Sequence, residues 1–118
     1  MSIELTNDAK KAIRLFHKAY KKRLKEGSSF AKATCLGGSN RIQQELLPNW
    51  SRDRIETVCK ELGKTGLLYC MWANNVLYNS SITDAGISFA QNYQKKSLIK
   101  IKDSLLNIVG HIVGIFIK

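Results

Sequence analysis

The sequence predicts a mainly α fold carrying one small β-hairpin, with a long helix at the N-terminus and an apolar helix at the C-terminus. Three observations predict it. Five separate stretches place apolar residues at helical period. The only proline falls between two of them, in "PNWS", and breaks them into a pair. Two strand-like runs then flank Ala73-Asn74-Asn75.

The first element is "TNDAKKAIRLFHKAYKKRLKEG". Thr6 or Asn7 supplies a cap, because its side-chain oxygen accepts from amides that lack a helical partner. Asp8 lies where the helix dipole favours an anion, and Gly27 ends the helix. Ala9, Ala12, Ile13, Phe16, Ala19, Tyr20 and Leu24 share one face. Lys10, Lys11, Arg14, Lys18, Lys21, Lys22 and Lys25 form a basic stripe on the other side. His17 borders that stripe and is expected at the surface. "SSFAKATCLGGS" follows as a connection rich in small residues, pinned to the core by Phe30 and Leu36.

"NRIQQELL" reads as a short helix with Ile42, Leu46 and Leu47 inward. Pro48 stops it, since proline lacks an N–H and disfavours helical geometry in the residue before it. Ser51 caps the next helix, "SRDRIETVCKELG", where Ile55, Val58, Cys59 and Leu62 are spaced i, i+3, i+4, i+7 and Gly63 is the stop. Two helices joined by so short a turn describe a helix-turn-helix. Trp50, the one large apolar residue of the turn, is expected to plug the angle between them.

The runs "GLLYCMW" and "VLYNS" on either side of Ala73-Asn74-Asn75 read as a hairpin, because asparagine tolerates the positive φ of a tight turn. "SITDAGISFAQNYQ" then opens another helix. Thr83 is its cap, Asp84 sits at the positive end of its dipole, and Ile87, Phe89, Ala90 and Tyr93 are its apolar contacts.

The order of these elements, with the strings "WSRDRIETVCKELGKTGLL", "YCMWANNVLYN" and "ITDAG", resembles the winged-helix (helix-turn-helix) superfamily, and within it small bacterial and phage proteins of the YjcQ-like type. The resemblance covers about Ser39 to Tyr93. It implies a winged helix-turn-helix and a small dimeric DNA-binding transcriptional regulator of bacterial or mobile-element origin. The helix after Ser51 would then enter the major groove. Ser51, Arg52, Arg54 and Lys60 would face bases or phosphates, with Asn40, Arg41, Gln43 and Gln44 on the backbone or flanking bases. Fold alone does not settle function, because winged helices also serve as protein-interaction modules.

Residues 1–94 read as one domain and residues 95–118 as a C-terminal apolar helix for dimerisation or packing. Leu98, Ile101, Leu105, Ile108, Ile112 and Ile115 repeat at 3-4-3-4-3, a heptad seam. The seam points to self-association. Packing on the chain's own core, and binding to a membrane surface with Lys95 and Lys96 near headgroups, are the alternatives. The apolar run from Leu105 to Ile117 contains Asn107 and His111 and is shorter than a membrane span requires.

The chain has 118 residues and a net charge of +10, which favours anionic partners. The excess is uneven. Residues 1–27 hold eight Lys/Arg against three acids, residues 28–94 six against five, and residues 95–118 five against one. The reading helix mixes Asp53, Glu56 and Glu61 with its cations, and the hairpin from Leu67 to Ser81 has no Lys or Arg. Both features argue against strong phosphate binding there; on that view Arg52 and Arg54 pair locally with Asp53 and Glu56. Cys35, Cys59 and Cys70 have no metal-ligand spacing and read as thiols of a cytoplasmic protein. No cofactor is implied. No acid pair, triad or metal cluster points to an enzyme. Two further readings stand beside DNA binding: a protein-interaction adaptor using Trp72 or the last helix, and a peripheral membrane protein.

Overall fold

A computed structural model of the chain describes residues 4–93. Four helices precede a two-stranded antiparallel hairpin: α1 (Asn7–Lys25), α2 (Phe30–Thr34), α3 (Ser39–Glu45), α4 (Arg52–Lys64), β1 (Leu68–Ala73) and β2 (Val76–Ile82). A last helix, α5, follows over residues 84–93. The apolar segment with its seam of Leu98, Ile101, Leu105, Ile108, Ile112 and Ile115 lies outside the described residues.

The expected elements form, and most for the expected reasons. Thr6 caps α1 by accepting from the Ala9 amide, and Ala9, Ala12, Ile13 and Phe16 enter the core. Ser51 caps α4 by accepting from the Arg54 amide, and Ile55, Val58, Cys59 and Leu62 are buried. Trp50 is 7% exposed and belongs to the same core as Ile42, Leu47 and Ile55. Its carbonyl accepts from Gln43 at 2.8 Å, and its amide donates to Leu47. Thr83 caps α5 by accepting from the Gly86 amide, while its hydroxyl donates to the Gly66 carbonyl at 2.6 Å.

Three expectations are corrected. The connection after α1 contains α2, capped by Ser29, and Leu36 is buried there while Phe30 is 56% exposed. Phe30 instead packs edge-on to Tyr20. Gly63 does not stop α4: it lies inside the helix beside Cys70, and the turn to left-handed backbone comes at Gly66, φ 79°. His17 is buried, 1% exposed, because it lies next to Phe16 on the side of α1 that stacks with Tyr20.

The hairpin turns through Asn74 and Asn75, at φ 52° and 63°, so Ala73 belongs to the strand and pairs with Val76. Two positive φ values in succession match the right-handed twist of the flanking strands. A bulge shifts the register, with Met71 opposite Asn79 and Trp72 opposite Leu77. It leaves Tyr78 outside the pairing and returns Leu77 to the core, 1% exposed. On the far side of β2 the chain after α2 adds a short extended edge. Cys35 bridges to Ser81, the Leu36 and Gly37 amides both donate to the Ser80 carbonyl, and the Ser80 hydroxyl donates to Gly37.

The "ITDAG" string has a steric reason. A Cβ on Gly86 would lie 2.2 Å from the Leu67 carbonyl oxygen and 2.9 Å from a methylene of Ile82. Only glycine lets α5 start this close to the loop between α4 and β1. Replacing Gly86 by alanine is expected to destabilise the fold by about 1–3 kcal/mol, the range for overpacking. Trp50→Ala is expected to cost about 3–5 kcal/mol. Urea denaturation of each variant checks both values.

Candidate nucleic-acid interface

The site is built around α4, whose four sides have different tasks. The inner side holds Ile55, Val58, Cys59 and Leu62 in the core. The side toward α1 carries Arg54 and Glu61. Arg54 donates two hydrogen bonds to Asp8, at 2.7 and 2.9 Å, and lies over the Trp50 ring at 3.8 Å. Glu61 accepts from the amide and the hydroxyl of Thr6, at 2.8 and 2.7 Å. Two polar clamps nearly two helical turns apart thus strap the start of α1 to α4. The side toward the hairpin carries Glu56, whose carboxylate accepts from the Ser39 hydroxyl and from the Leu77 amide, both at 3.2 Å. The fourth side, with Asp53, Thr57, Lys60 and Lys64, is exposed.

The sequence-predicted residues divide accordingly. Arg52 is exposed at the first turn of α4, and Asn40 and Gln44 are exposed one turn apart on α3. Ser51 serves as the α4 cap. Arg41 pairs with Glu45 on its own helix at 2.6 Å, and Gln43 is committed to the Trp50 carbonyl. Lys60 stands over the Trp72 ring at 5.6 Å. Arg54 is not paired locally: its partner is Asp8, 46 positions earlier, and neither Asp53 nor Glu56. That hydrogen bond holds the Asp8 carboxyl below the usual carboxylate range and raises Arg54 further. The pair is about 42–43% exposed, so it fixes geometry more than it adds stability.

The charge on α4 changes once side chains are placed. Of Asp53, Glu56 and Glu61, only Asp53 remains on the outward side. Lys60 and Lys64 therefore outnumber the acid there, while Arg52 is exposed at the first turn, toward the Glu56 side of the helix. Sequence reading missed Thr57 and Lys64 as members of this surface. Their helical spacing from Asp53 and Lys60 was the available signal. The inward turn of Glu56 and Glu61 had none, because their partners are Leu77 and Thr6.

The hairpin adds aromatic and apolar groups but no cation. Tyr69, Val76 and Tyr78 are exposed, and Trp72 is half-buried beside Lys60. Burial pushes the Cys59 thiol up, with Cys70 and Glu56 adding to it, and pushes Cys70 up to about 11, so both are protonated and poor nucleophiles at neutral pH. Among the described residues no group of three or more His, Cys, Asp or Glu converges on a metal-sized site, and no helix is long and apolar enough to cross a membrane.

His17 is the one buried titratable group whose ring nitrogens both lack a hydrogen-bond partner among the described residues. Burial, with Lys21 one turn on, lowers its pKa. The folded chain therefore refuses a proton that the unfolded chain accepts below about pH 6.5. Stability is full above that pH and declines as pH falls through the lowered value. Comparison with protein families, with curated proteins and with solved structures finds no match to the chain. His17→Leu is expected to flatten the loss of stability between about pH 6.5 and 5, and to raise stability by on the order of 1 kcal/mol by removing two unpaired polar atoms. Urea titrations across that pH range measure both effects.

Proposed function

We propose that the chain is a DNA-binding protein of winged-helix type, with α4 as the helix that enters the major groove. The observation that carries this reading is the outward side of α4. It is open to solvent along the helix, presents Lys60 and Lys64 against one acid with Arg52 exposed at the adjoining first turn, and is braced on its other three sides by α1, the core and the hairpin. A rigid helix with a free polar side is what groove readout requires. The order of α3, turn, α4 and hairpin, with the 35–37 edge beside β2, is compatible with the winged-helix arrangement that the sequence resembles.

In this reading Arg52 is at the N-terminal turn, where a groove-bound helix meets base edges. Asn40 and Gln44 on α3 reach the flanking backbone. Thr57 supplies a small hydroxyl at the centre of the surface, and Lys64 a phosphate contact at its far end. Arg54 drops out of the contact set, since its guanidinium fork is occupied by Asp8. Dimerisation through residues 95–118 would place two such helices on a two-fold symmetric site. A cytoplasmic location accords with this role.

A second reading, a protein-interaction adaptor, has one observation in its favour. The uncharged hairpin exposes Tyr69, Val76 and Tyr78, and aromatic residues at the surface favour protein contact. The two readings predict opposite sensitivities. Selection from a random duplex library is expected to enrich a defined sequence. The Arg52→Ala, Lys64→Ala double variant should lose roughly tenfold or more affinity for that sequence, with a smaller loss on random duplex. Anisotropy titration measures both. Failure to enrich any sequence would leave the adaptor reading in place.

A further inference from the structure

We infer that α1 carries a second, sequence-independent phosphate-binding surface, and that it supplies most of the domain's electrostatic attraction to duplex DNA. This rests on the DNA reading but uses a different face. Lys11, Arg14, Lys18, Lys22 and Lys25 are exposed on the side of α1 turned away from its buried Ala9, Ala12, Ile13 and Phe16. They extend over about 21 Å of helix rise. No acid occurs from Ala9 to Lys25. Acids occur only at its two ends: Asp8 is held by Arg54, near enough to Lys11 for that lysine to lower its pKa as well, and Glu26 meets Lys22 at 4.0 Å. Arg14 is steadied over the Tyr93 ring at 5.4 Å. The outward side of α4, by contrast, alternates cations with Asp53.

The chemistry of the row selects its partner. A helix that binds a bilayer inserts an apolar face below its basic one. The apolar face of α1 is largely inside the protein, with Ile13 and Phe16 fully buried, and of its large apolar residues Leu24 is the exposed one, too little to enter lipid. What is left is a straight, rigid line of positive charge, which complements the linear phosphates of a nucleic-acid backbone and releases their counterions.

The test uses the full chain with Lys11, Lys18, Lys22 and Lys25 changed to Gln. These side chains are exposed, so thermal unfolding should be unchanged, and that is checked by circular dichroism. Binding to a random-sequence duplex is measured across salt. Each phosphate contact contributes about 0.9 to the slope of log affinity against log salt, so the four-lysine variant should lose about 3.6 from the slope and at least about tenfold in affinity near 0.1 M salt. The Arg52→Ala, Lys64→Ala variant should change that slope by less than 2. An unchanged slope in the lysine variant overturns the inference while leaving the α4 reading intact. A wild-type chain that binds no duplex at low salt overturns both. Loss of binding to phosphatidylserine-containing vesicles without loss of DNA slope would overturn the inference by making the row a membrane surface.

Discussion

The burial of Trp50 at the bend between α3 and α4 is the constraint on which the other contacts depend. A turn this short leaves two helices at an angle with a gap between them, and an indole fills it. The ring then becomes a platform. Arg54 lies over it, and only from that position do its two N–H groups meet Asp8 on α1. Gln43 closes the other side by donating to the Trp50 carbonyl. Hydrophobic burial supplies the energy, while the exposed ion pair and the amide set the angle. With that angle set, Glu61 meets Thr6, and Glu56 meets Ser39 and Leu77. The orientation of α4 follows from an apolar plug and three polar contacts to three different elements.

Most of the architecture was legible because it is written in local patterns. Helical spacing, the caps at Thr6, Ser51 and Thr83, the proline break and the asparagine turn each depend on residues a few positions apart. What escaped reading depends on distant partners. His17 borders lysines in sequence and on the helix wheel. Its burial follows from how Tyr20 and the rest of the fold close over that side of α1. The stop of α4 lies beyond Gly63, which is inside the helix beside Cys70, because Gly66 is the residue that takes left-handed backbone. The 35–37 edge is formed by residues more than 40 positions from Ser80 and Ser81.

The candidate site was less legible than the fold, and for the same reason. Eight residues were expected to contact DNA, and chemical type was the guide to them. Type does not tell a free arginine from one whose donors are already used. Arg54, Arg41 and Gln43 have partners that composition cannot reveal. Conversely, acids counted against the reading helix turn out to hold the structure together. The surface that remains is smaller than expected and more positive.

The contact between Arg14 and Tyr93 has a mechanical consequence. It moors Tyr93, the last of the described residues, to the middle of α1. Cargo, anchor or sister subunit joined downstream would begin its path beside the lysine row. A pull on that end reaches α1 through Arg14 and the loop after α4 through the Thr83–Gly66 hydrogen bond.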